Sequence, residues 1–266
     1  MLAKDYYQAG QLGAAIAAIT AEVKTHPADL QRRGFLAELL CFDGNVERAD
    51  LQIDIMAKQD TALAVGIALF RQVLRGEQAR QQLFGEGRLP ELLGVPPAHL
   101  RLSLEAVVAL RAGDETAAFD LATAAEEARP PLRGNLDDTA FDTFRDLDDI
   151  PAGVFAVITS TGKYYWVPME RVVSWAFRPP QRPRDLIWRG AEMMVEDGPE
   201  GEIFLPVLYP IPAGVTPDDQ IRLGRASDWV GGDGTPTRGL GQRCFLVGEE
   251  AVPILTMTQL TFARNG

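Results

Sequence analysis

The feature that most constrains this chain is a spacing between glycines. YYQAGQLGAAIAAI, starting at Tyr6, aligns with LCFDGNVERADLQI, starting at Leu40, and sets Gly10 and Gly44 34 positions apart. A third copy, LRAGDETAAFDL, places Gly113 69 positions beyond Gly44, close to two further periods. Gly76, in LRGEQARQQL, falls near the intervening place. A period of 34 is that of tetratricopeptide-like helical hairpins. Glycine is read as the tight turn of each hairpin, since it takes positive φ without a Cβ clash. Ala14, Ala17, Ala49 and Ala118 then let paired helices approach closely.

Apolar spacing agrees with helices. Leu12, Ala15, Ile16, Ile19 and Val23 form one stripe at intervals of three and four, and Leu51, Ile55 and Met56 form part of another. Pro27, Pro90, Pro96 and Pro97 read as helix boundaries. A plain helical bundle with glycine turns is the alternative. A stack of hairpins buries its core only by stacking and leaves a curved groove, which usually holds a peptide or helix.

After Gly113 the character changes. Residues 114–149 carry eleven acids against Arg129, Arg133 and Arg145. The run reads as a solvated helix face followed by an acidic linker, with a docking strip for a basic partner as the sharper alternative. Phe141, Phe144, Leu147 and Ile150 interleave with the acids and suggest a short amphipathic helix in residues 130–150. From Pro151 the pattern is short and extended. Strands are expected at 154–159 and 163–167 around a Thr161-Gly162 turn, then in VVSWAF, DLIWRGAEMMV, EIFLPVLYP, QIRLGRASDW, QRCFLV and ILTMTQLTF. VGGDGTPTRGLGQR reads as a flexible hairpin loop. The fold class is therefore α+β and multidomain: a TPR-like α-α superhelix over residues 1–129, an acidic linker over 130–150, and a mainly antiparallel β domain over 151–266.

KYYWVPMERV, at 163–172, is the densest motif. In a strand Tyr164 and Trp166 point to one face, Tyr165 and Val167 to the other. Both faces are large and apolar, so one fills the β core and the other needs a cover, for which the helical half is available. Pro168 stops the strand, and Glu170 and Arg171 read as capping or pairing groups at the following turn.

Composition bounds the function classes. The chain has 266 residues, 46% hydrophobic and 24% charged, and a formal net charge of −11. That balance argues against a nucleic-acid or anionic-membrane binder, which needs a basic footprint. Cys41 and Cys244 stand far apart and read as buried thiols. The opening MLAKDYYQAG shows no apolar stretch behind a basic cluster, and the expectation is a cytoplasmic protein.

Catalytic signatures are not found. Gly162-Lys163 resembles the end of a phosphate loop, but Val157 stands where the upstream glycine is needed and Tyr164 follows the lysine. None of Ser103, Ser160, Ser174 and Ser227 sits in GxSxG. His26 and His99, read in interhelical loops, are too few for a His/Cys metal site. The pairs Asp137-Asp138 and Asp148-Asp149 read as solvated. No cofactor is expected, and an enzyme with a site between the halves is the alternative reading.

A helical half followed by GKYYWVPMERV, DLIW, RLGRASDW and GLGQR resembles the ImpE family, the SciE/TagJ-type accessory proteins of bacterial type VI secretion clusters. The residues that carry the resemblance are Gly162, Tyr164, Tyr165, Trp166, Val167, Pro168, Glu170, Arg171, Asp228, Trp229, Gly239, Gly241, Gln242 and Arg243. Thr161 and Ala156 depart from the family pattern, which has asparagine at the first and an acid at the second. The resemblance implies a non-enzymatic adaptor that engages a helix of a sheath subunit and the sheath-recycling AAA+ ATPase. Tyr6, Arg32, Arg33 and Phe35 on the early helices are the candidate groove residues; the two arginines would face acids flanking an apolar stripe.

Overall fold

The computed structural model describes residues 2–263. Its helical half contains, among the described residues, α1 (Ala3–Gln8), α2 (Leu12–Thr25), α3 (Leu30–Phe42), α4 (Val46–Gln59), α5 (Ala64–Gly85), α6 (Ala98–Arg111) and α7 (Glu115–Ala128). Three connections share one construction. Gly10, Gly44 and Gly113 have φ of 75°, 74° and 78°. In each the glycine N–H donates three residues back and the next N–H five back: Gly44 to the Cys41 carbonyl at 3.0 Å and Asn45 to that of Leu40 at 2.9 Å. This is the Schellman closure, which satisfies carbonyls left free at a helix end. Asn45 and Asp114 then cap the following helix, accepting from Arg48 N–H at 3.2 Å and Ala117 N–H at 2.9 Å. The result is three helical hairpins: α1–α2, α3–α4 and α6–α7.

Gly76 does not make a fourth turn. It lies inside α5, a continuous helix of 22 residues, so the glycine spacing misplaces a hairpin there. Its role is close approach. A Cβ on Gly76 would stand 2.4 Å from the Ile158 Cγ2, so the bare backbone lets α5 lie directly on the sheet.

That sheet has eight strands: β1 (Gly134–Leu136), β2 (Thr139–Phe141), β4 (Val154–Thr159), β5 (Tyr164–Pro168), β6 (Val172–Phe177), β7 (Trp188–Val195), β8 (Glu200–Pro206) and β13 (Gln259–Phe262). Their order is β2-β1-β13-β6-β7-β8-β4-β5, antiparallel throughout. A three-stranded sheet joins β3 (Phe144–Asp146), β11 (Cys244–Val247) and β12 (Glu250–Pro253). A hairpin joins β9 (Ser227–Gly232) to β10 (Thr235–Gly241). The short α8 (Asp219–Arg222) precedes it, capped by Asp218.

Alternation along β4 and β5 divides two cores. Val154, Ala156, Ile158, Tyr164 and Trp166 pack with the helices. Phe155, Val157 and Val167 face the other way, joining Phe144, Trp175, Phe245 and Phe262 beneath the three-stranded sheet. The second core is an aromatic cluster in which Phe144 stacks on Phe245 at 5.2 Å and Phe155 meets Trp175 at 4.4 Å. The molecule thus has three layers: helices, large sheet, small sheet.

Several expectations need correction. Residues 130–150 hold no helix: Phe141 ends β2 and Phe144 begins β3, because both rings are needed in the aromatic core. Nor is the segment a solvated linker, since Asp146 and Asp148 are fully buried. QIRLGRASDW is helix α8 before it is strand, because the Asp218 carboxylate accepts from the N–H groups of Gln220 and Ile221. VGGDGTPTRGLGQR is an ordered strand pair with Asp233 at positive φ in its turn, where a flexible loop was expected. His99 lies within α6.

Gly76→Ala should destabilise the protein by about 1–3 kcal/mol, since the methyl group meets Ile158 on packed strand β4. Gly66→Ala, on the same helix with nothing within 4 Å of the added carbon, should stabilise by about 0.5–1 kcal/mol. Urea unfolding of the two variants measures both, and equal effects would refute the close-approach role.

Candidate functional site

The KYYWVPMER segment is a seam. Tyr164 and Trp166 are 3% and 1% exposed, and the indole Nε1–H donates to the Tyr164 hydroxyl at 2.7 Å. Burial pushes the Tyr164 hydroxyl up to about 12, so it stays a neutral acceptor. The half-buried Tyr165 packs against the second core. Gly162, with φ of 82°, makes the β4–β5 turn against α5, where an added Cβ would stand 2.6 Å from the Gln72 side chain. Pro168 pairs with Val154 at the strand end.

Two of the motif's three charged residues, Glu170 and Arg171, reach the helical half. Glu170 Oε1 lies 2.8 Å from His99 Nε2 on α6. Arg171 donates to the Leu93 carbonyl at 2.5 Å and to that of Glu196 at 3.0 Å. From the helix side, buried Glu77 accepts from the Trp188 indole at 2.9 Å and from Arg80, which itself donates to the Leu208 carbonyl. These residues are bolts between layers, with no open reaction site among them.

The polar groups at the far end are also structural. Asp146 takes two bonds from Arg243, at 2.9 and 2.5 Å, and one from the Tyr209 hydroxyl at 2.8 Å. Asp148 accepts from Arg238 Nε and from the Gly239 N–H. Burial pushes the Asp146 carboxyl up, against the pull of Arg243. Trp229 is half-exposed, edge-on to Tyr209 at 5.7 Å. Gly241 has φ of 74°, and an added Cβ would lie 2.2 Å from the Ala226 carbonyl oxygen.

Of the candidate groove residues, three reach the surface. Tyr6 and Phe35 are half-buried on α1 and α3, and the Phe35 ring sits edge-on to Tyr7 at 5.7 Å. Arg32 is half-exposed, bonded to Glu22 and Asp29. Arg33 is a correction: it is 7% exposed and donates inward to Gln52 at 2.7 Å and to the Pro27 carbonyl at 2.9 Å, so its charge is spent on the hairpin. Tyr7, not singled out from the sequence, joins this face, with the Arg225 guanidinium 5.4 Å from its ring centre.

The face leads toward a cleft between the halves. Glu38, one turn beyond Phe35 on α3, feels Arg184 and Arg182 from the 3-10 turn Pro183–Leu186 and its cap. Beyond them a cavity of about 330 Å³ is floored by Phe70 and Val73 of α5 with Trp188 and Phe204 of the sheet. The Arg184 guanidinium lies 4.4 Å from the Phe70 ring centre. The cleft's two carboxylates are occupied: Asp185 accepts from the Gln181 and Arg182 N–H groups, and Glu202 pairs with Arg178 at 2.5 Å. An enzyme site between the halves finds no acid–base pair here. The sequence signal for the cleft was present in RPPQRPRD, three arginines in eight residues of an acidic chain.

Among the described residues, no cluster of three or more His, Cys, Asp or Glu is placed to hold a metal ion, and no helix is long and apolar enough to cross a membrane. Residues 138–261 match the profile of the ImpE protein family. The type VI secretion system accessory component TagJ of Pseudomonas aeruginosa is 28% identical over 264 residues, covering 98% of this chain and 91% of that protein. The crystal structure of protein VPA1032 from Vibrio parahaemolyticus superposes with a TM-score of 0.91 at 28% identity, over 99% of this chain and 98% of the other.

Glu38 yields a pH prediction. Burial raises its carboxyl from the ordinary 4.5 to about 7, against the opposing pull of Arg184 and Arg182. The folded chain holds that proton more tightly than the unfolded one. The stabilisation is complete in acid below the unfolded value and is lost as pH rises through about 7. Glu38→Gln should therefore gain about 1–2 kcal/mol over the parent near pH 8, after allowance for solvent screening, and almost nothing near pH 4. Urea titrations at the two pH values check the difference.

Proposed function

We propose that the chain is a member of the ImpE family, whose profile its residues 138–261 match, and that it is a non-enzymatic accessory component of a type VI secretion machine, an adaptor that binds other proteins. The observation that carries this reading is similarity to an accessory component along 98% of the chain, through both halves. The recognition half is residues 1–129, acting as a tetratricopeptide-like stack of three hairpins; residues 151–266 brace it, with 130–150 tied into the brace. The partner is a helix of a sheath subunit, with the sheath-recycling AAA+ ATPase as a second protein brought to it.

The physical support is in how the early helices present their side chains. Tyr6 on α1 and Phe35 on α3 stay partly exposed, where an apolar stripe at three-four spacing can lie against them. Arg32, one turn before Phe35 on α3, can exchange its half-buried partners Glu22 and Asp29 for acids on the incoming helix. Aromatic and arginine side chains in such positions supply most of the binding energy at protein interfaces.

Affinity capture with the folded chain, from a host carrying the secretion cluster, should enrich a sheath subunit or the ATPase. Recovery of neither, with intact bait, sinks the proposal. Tyr6→Ala and Arg32→Ala should each weaken binding of the sheath-subunit helix by about 10-fold or more without changing the unfolding midpoint by a comparable amount.

A further inference from the structure

The cleft between α5 and the large sheet carries a charge pattern that the fold consumes only in part. Of its three arginines, Arg178 is neutralised by Glu192 and Glu202. Arg182 and Arg184 stand side by side and feel the Glu38 and Asp185 carboxylates at longer range, but neither forms a direct ion pair among the described residues. Arg182 is exposed, and Arg184 is half-buried with its guanidinium lying over Phe70. Two like charges held together over an aromatic floor repel one another, and part of their hydration is lost. Such an arrangement costs stability unless an anion completes it.

The floor supplies the second half of the specificity. Phe70, Val73, Trp188 and Phe204 line a cavity of about 330 Å³, at the lower end of the range for ligand sites and large enough for one or two apolar side chains. Cations at the rim and apolar rings below match a ligand with a carboxylate next to an aliphatic or aromatic group. In a chain of net charge −11, a free anionic metabolite meets a repulsive field. A partner segment anchored elsewhere on the surface overcomes that field through its local concentration.

We propose that this cleft is a recognition site for an acidic–apolar segment of a partner protein, in which a Glu or Asp carboxylate sits between Arg182 and Arg184 and a neighbouring apolar side chain enters the Phe70–Trp188–Phe204 pocket. The site is separate from the Tyr6–Phe35 face and stands on its own residues, whichever protein the adaptor face holds. Its planar guanidinium groups suit bidentate capture of a carboxylate.

The test uses the full chain and a fluorescein-labelled, helix-forming peptide bearing two Glu residues four apart beside two Leu residues, with a Gln-for-Glu counterpart as the control ligand. Fluorescence anisotropy should show saturable binding of the Glu peptide, at least about 10-fold tighter than the Gln peptide and weakening with salt. Arg182→Gln and Arg184→Gln should each lose at least about 10-fold, and Arg88→Gln, at an exposed arginine away from the cleft, should lose nothing. Equal binding of the two peptides, no saturation, or insensitivity to both cleft variants overturns the proposal. So does inorganic phosphate competing as well as the peptide, which would make the cleft a general anion site. Arg182 is exposed, so its variant remains interpretable if the Arg184 variant unfolds. Tyr6→Ala should leave this binding unchanged, which separates failure of the cleft from failure of the adaptor face.

Discussion

The architecture depends on one close approach, the backbone of α5 against strand β4 at Gly76 and Ile158. A 22-residue helix has to lie flat on a twisted sheet for three layers to form, and a side chain at that point would lift it. With the helix seated, Tyr164, Trp166 and Ile158 are covered from the helical side, and Glu77 comes within reach of Trp188 and Arg80. The Glu77 carboxylate is buried but accepts two bonds from Arg80 and one from the Trp188 indole, so its desolvation is offset by charge-assisted contacts. Glycine supplies the approach and the carboxylate supplies the register. Neither would hold the layers alone.

What the sequence made legible follows from short-range rules. The 34-residue glycine spacing led to the turns at Gly10, Gly44 and Gly113, because a Schellman closure needs only local backbone. The two-residue period of β4 and β5 assigned Tyr164 and Trp166 to one face together, because side-chain direction alternates along a regular strand. Gly76 was misread for a related reason: spacing cannot distinguish a glycine that turns the chain from one that admits a neighbour. Asp146 and Asp148 were misread because their partners, Arg243 and Arg238, lie 97 and 90 positions away. A run of acids looks solvated until the chain folds back over it. Arg33 fell to the same limit, since a pair of adjacent arginines does not reveal that one of them turns inward to Gln52.

Function was less legible than fold because an adaptor has no obligatory constellation of groups. The working parts proposed for this chain are half-buried rings and arginines, which in sequence resemble the residues of any core edge. They differ from such residues in what the fold leaves unused. Glu170, Arg171, Arg238 and Arg243 are consumed by internal partners. Tyr6, Phe35, Arg182 and Arg184 retain surface or charge beyond what the fold uses. The motif at 163–171 is thereby a fastening between layers, and the residues proposed to meet other molecules lie outside it.

One further contact has a bearing on how such a protein behaves at high local concentration. Glu91, in the connection leaving α5, forms a parallel bridge with Tyr165, its N–H donating to the Tyr164 carbonyl at 2.8 Å and its carbonyl accepting from the Trp166 N–H at 3.2 Å. Strand β5 is the last of the large sheet, and this single residue occupies the row of groups on which another strand could be templated. The opposite margin, β2, is only three residues long. Lateral growth of the large sheet by strand addition is therefore blocked at one end and starved of length at the other.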